Sequence, residues 1–154
     1  MIFKKTSLFL IFFYIILFYE VTRSEIKNLV IHGGYSFETM EGQSNGAAYI
    51  SIFNNSNNDY VIKSIKSDIA DKIEIHDVKI ENNIVKMKML DVLKIKKNQQ
   101  IFMQPGGKHI MLFGLKKKLV EGESFPLSFV LDKNQIIDAD IFVVSKKLKE
   151  KYLD

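Results

Sequence analysis

The stretch GAAYISIFNNS, residues 46–56, decides the fold. Tyr49, Ser51 and Phe53 alternate with Ala48, Ile50 and Ile52. That period of two belongs to a strand whose successive side chains project to opposite faces. A polar turn from Asn54 to Asp59 closes it.

The same pattern recurs outward in both directions. Ile73 and Ile75 alternate with Glu74 and His76, and Val85, Met87 and Met89 with Lys86 and Lys88. Further strand-like runs are Ile26 to Ile31, Tyr60 to Ser67, Gln99 to Gln104, His109 to Gly114, Phe125 to Leu131 and Ile136 to Val144. Turn-forming residues separate them at Glu81–Asn83, Lys96–Asn98, Pro105–Gly107, Glu121–Ser124 and Asp132–Asn134. Eight or nine short strands at this spacing predict an all-β, antiparallel sandwich or barrel, one domain over residues 25–145. Ser145 to Asp154 carries the one helical signal, and residues 146–154 are expected to form a charged tail.

Of 154 residues, 47% are hydrophobic and none is cysteine. The first figure supplies a core, and the second excludes disulfides, thiolate metal sites and a Cys nucleophile. Any metal must be held by His, Met or carboxylate. The formal charge of +4 rests on Lys, with Arg23 the one guanidinium, so the bidentate forks that read bases and phosphates are nearly absent. No nucleic-acid partner is expected.

Residues 1–24 have the composition of a targeting segment. Lys4 and Lys5 precede an unbroken apolar and aromatic run from Leu8 to Tyr19. The run is shorter than the ~20 residues of a membrane span and matches the core of a secretory signal. Thr22 and Ser24 fit a cleavage site after Ser24. The expectation is export, in a bacterial cell to the periplasm, with an inner-membrane anchor over residues 6–22 as the alternative if cleavage fails. Membrane contact is then expected through that segment alone.

Signatures of catalysis are missing: there is no G-x-S-x-G, no phosphate-binding glycine loop opening a helix and no H-E-x-x-H. The Gly33–Gly34 pair follows a strand but opens no helical pattern. The informative residues are the three His (His32, His76, His109) and the five Met after the initiator (Met40, Met87, Met89, Met103, Met111). His109 and Met111, two apart on a strand, share a face about 7 Å apart, and Met87 and Met89 repeat that geometry. His76 lies on the Glu74 side of its strand, opposite the apolar Ile73 and Ile75. Imidazole with thioether is the soft donor set that cuprous copper prefers. Flexible core filler is the commonest use of Met, and that reading stands beside the metal one.

His76, ten residues, Met87, twenty-one residues, His109, one residue, Met111 resembles the H-x10-M-x21-H-x-M signature of the periplasmic copper chaperones of the PCu(A)C family. PGGKHIMLFGLKKKLVEGESFPLSF, residues 105–129, is similar to that family's C-terminal half, and residues 46–56 to its early strand and turn. The resemblance implies a cupredoxin-like antiparallel β-sandwich and a non-enzymatic copper(I) chaperone. His76, Met87, His109 and Met111 would be its ligands and Met89 a reserve thioether. Its implied partners are the copper ion and a respiratory oxidase copper-site subunit or Sco-like assembly factor, in cytochrome c oxidase assembly. A copper buffer or resistance protein, or an exported sandwich that docks a non-metal ligand, fits the same sequence features. Where many members have Met after the first His, this chain has Asp77. His32, Met40 and Met103 lie outside the motif.

Overall fold

A computed structural model describes residues 28–81, 84–132 and 135–148. The expected signal segment and most of the C-terminal tail lie outside them. Ten strands follow in chain order: β1 (Leu29–Phe37), β2 (Asn45–Asn54), β3 (Tyr60–Lys66), β4 (Ala70–Glu81), β5 (Ile84–Leu90), β6 (Leu93–Ile95), β7 (Gln100–Phe102), β8 (His109–Leu115), β9 (Ser124–Leu131) and β10 (Ile136–Val144). They pair in the order β5-β4-β8-β2-β1-β10-β9-β3-β6, with β7 also on β2. The path folds over one core, so the expected cupredoxin-like sandwich is the observed architecture. All ladders are antiparallel except β1 with β10.

The alternation in residues 46–56 acts as the sequence predicts. Ala48, Ile50 and Ile52 are buried and meet Ile110 and Leu112 of β8 and Leu127, Phe129 and Leu131 of β9 in the core. Each Ile, Leu or Phe among them contributes about 1.5–3 kcal/mol by leaving water. Asn54 ends β2 inside the fold, where polar groups are costly unless bonded. Its Nδ2 donates to the carbonyls of Asn58 and Lys96, both at 2.8 Å, and its Oδ1 accepts the Ser56 hydroxyl at 2.8 Å.

Gly33 and Gly34 form an irregularity in β1 rather than a ligand loop. The β1–β2 register shifts between His32 and Tyr35, and Gly33 has φ of 65°. A Cβ on Gly34 would lie within 2.8 Å of the Asp140 carbonyl, so no larger residue fits beside β10. The start of the tail is tied down: Lys146 N donates to Glu38 Oε1 at 2.9 Å as residues 146–148 enter a helical turn.

Candidate metal centre

Strand parity sorts the site residues before any distance is needed. In β4, Ile75 is buried, so Glu74, His76 and Val78 face outward. Across the β4–β5 ladder His76 opposes Met89 and Val78 opposes Met87. Across β4–β8, His76 opposes His109 and Glu74 opposes Met111. The four motif residues and Met89 therefore share one outer face on three adjacent strands. Met89, His76 and His109 form a single row, while Met87 is one step diagonal, opposite Val78.

The two imidazoles are neighbours, with ring centroids 5.6 Å apart and planes inclined at 57°. Phe113 borders the His76 ring at 6.1 Å. His76 is more covered than a free strand face implies, its side chain 15% exposed. Its Nε2 lies 2.8 Å from Glu74 Oε2. Glu74 in turn pairs with the Lys72 ammonium. That ammonium, and after it His76, hold the Glu74 carboxyl below the usual carboxylate range.

His109 opens β8 directly after a tight turn. Gly107 N donates to the Gln104 carbonyl at 3.0 Å, and Gly106 takes φ of 76°, a conformation that glycine adopts without strain. The turn brings the Gly107 carbonyl 2.9 Å from His109 Nδ1. This sets the imidazole at the end of its strand. Met111, two residues on, is half-buried and lines an open cleft with Tyr49 and Lys146.

Asp77 points to the reverse face of β4, where Lys108 Nζ pairs with its carboxylate at 2.8 Å. A side chain at this position cannot join the His76 row. The remaining candidates are apart from it: His32 is exposed at the β1 irregularity, Met40 is exposed near Lys146, and Met103 is core. For Met87 and Met89 the filler reading fails, since they are 68% and 47% exposed.

Sequence reasoning placed Glu74 on the His76 side but gave it no role. The signal was the spacing itself, because residues i and i+2 of a strand are same-face neighbours. Among the described residues no three His, Asp or Glu side chains group around a possible ion. Beside the two imidazoles, the thioethers of Met87, Met89 and Met111 are the soft donors this face offers.

The fold is a cupredoxin-like sandwich of the kind seen in PCuAC domains. The copper-bound PCuAC domain from PmoF2 superposes with a TM-score of 0.65 at 18% identity, covering 77% of this chain and 93% of that domain. The copper(I) form of DR1885 from Deinococcus radiodurans gives 0.63 at 21% identity, over 76% of this chain and 78% of that one. The LpqE-like family matches residues 29–143, and this chain belongs to that family. The uncharacterized protein RP573 of Rickettsia prowazekii (strain Madrid E) is 35% identical over 92 residues, 59% of this chain. The chain spans about half the length of that relative, the match covering 51% of it.

Proposed function

We propose that this chain is an exported copper(I) carrier whose ligands are His76, Met87, His109 and Met111, with Met89 available as a further thioether. The observation that carries the reading is the shared outer face: two imidazoles in register 5.6 Å apart, with the Met87 and Met89 thioethers on the neighbouring strand β5 and Met111 two residues along β8 from His109. Copper bound by the PCuAC domain from PmoF2 and by DR1885, which share the fold, supports it.

The donor chemistry suits transfer rather than catalysis. Uncharged His and Met hold a monovalent soft ion without releasing thiolate protons, and the ion can leave by stepwise ligand replacement. A redox enzyme would need further ligands or a second metal. The resemblance to the chaperone family points the cargo toward an oxidase copper-site subunit or a Sco-like assembly factor. The N-terminal apolar run supports release into the periplasm.

Competition of the purified chain against a copper(I) chelator tests the reading. One copper(I) per chain is expected. Equal affinity in wild type and His109→Ala would remove His109 from the site and with it the proposed ligand set.

A further inference from the structure

We propose that Glu74 is a positioning residue that selects which nitrogen of His76 meets the metal, so that His76 binds through Nδ1 while His109 binds through Nε2. The inference rests on the copper reading above and concerns the same site.

A neutral imidazole has one N–H and one lone pair, and an ionised carboxylate only accepts hydrogen bonds. Glu74 Oε2 lies 2.8 Å from His76 Nε2, so Nε2 carries the hydrogen and Nδ1 keeps the lone pair. Glu74 is itself fixed. Lys72 pairs with its other oxygen while the Lys72 ammonium sits 5.9 Å from the centre of the Phe113 ring, and that ring borders His76. The Glu74 side chain is only 12% exposed, which limits replacement of the contact by water.

At His109 the arrangement is reversed. The Gly107 carbonyl, which can only accept, lies 2.9 Å from Nδ1, so that nitrogen carries the hydrogen and Nε2 is the donor. The facing rings are thus held in opposite tautomers, one by a side chain and one by the backbone. Hydrogen-bond partners on the far side of a ligand ring fix its orientation and raise its basicity, and losing one costs about 10–100-fold in metal affinity. Glu74 alone of the two holders can be removed by mutation.

The test is long-range proton–nitrogen NMR on 15N-His-labelled protein, first without metal and then with copper(I). Without metal, His76 should show a hydrogen on Nε2 and His109 one on Nδ1. Adding copper(I) should move His76 Nδ1 and His109 Nε2. Glu74→Ala should expose the His76 N–H to rapid exchange and lower copper(I) affinity about 10–100-fold, while the His109 tautomer stays as it was. Copper-induced movement of His76 Nε2 instead, or wild-type affinity in Glu74→Ala, overturns the role of Glu74. Movement of neither His76 nitrogen overturns the copper reading of His76 itself. The wild-type spectra decide the tautomers even if the variant fails to fold.

Discussion

His76 and His109, far apart in the chain, stand directly opposite each other on β4 and β8 with their rings 5.6 Å apart. If both are donors, His76→Ala and His109→Ala should each lower copper(I) affinity by more than about tenfold, the lower figure for losing only a supporting hydrogen bond. His32→Ala, on the β1 irregularity, should leave it unchanged. Chelator competition on the three variants reads this directly.

Binding should also fall with acidity. A protonated imidazole has no lone pair, so copper(I) affinity at pH 5 should be below that at pH 7.5. An affinity constant across that interval would argue for thioether-only ligation.

The methionines separate binding from packing. Met87 and Met89 are exposed, so Ala at either should change stability by no more than about 0.5 kcal/mol. Met103, 4% exposed, should cost about 2–5 kcal/mol and leave copper affinity intact. Because Met89 opposes His76 and Met87 is diagonal to it, each can cover for the other, and the double variant should lose more affinity than the singles sum to. Thermal midpoint and copper titration on the same proteins check all of these, as they do for Met111→Ala, which should bind copper(I) more weakly.

The Asp77–Lys108 pair behind the site predicts an acid effect on folding. Lys108 holds the Asp77 carboxyl below its usual range. Its stabilising contribution is therefore complete above the unfolded-chain value, about 3.9, and disappears as pH falls through the lower folded value. Lys108→Met should destabilise the protein at pH 7 by no more than about 1 kcal/mol. The gap from wild type should narrow as pH falls below about 3.9, as denaturant unfolding at pH 7 and through a series of acid pH values will show.

Export is read at the other end of the chain. Residues 1–30 fused to a reporter active only outside the cytoplasm should give signal, and mass analysis should show loss of about 24 residues, as signal cleavage removes 15–30. An intact N-terminus on membrane-bound protein would establish the anchor instead.

Much of this site was legible because strand parity is local. Alternation around Ile73 and Ile75 put His76 outward, and the same rule grouped Met87 with Met89 and His109 with Met111. What alternation cannot supply is register, which belongs to pairs of strands. Nothing in the order of residues says that Met89, rather than Met87, faces His76. Leu93–Ile95 is too short to show a period, so β6 was not foreseen. The parallel β1–β10 pair arises from contacts between the two ends of the described chain, which no local window contains. Glu74 was visible at its two-residue spacing, yet a carboxylate on a strand is ordinarily solvated, and only its distance to the imidazole gives it a role.

Strand β5 ends the pairing order, whereas β4 and β8 are hydrogen-bonded on both sides. Its residues from Ile84 to Met89 are exposed on both faces. Segments with few buried contacts open at far lower free energy than the whole domain. Peeling this one border strand would detach Met87 and Met89 together while His76, His109 and Met111 keep their places. Cargo held on this face would thus have an exit built from a seam rather than a channel, with Leu90 the residue of that strand packed against the interior.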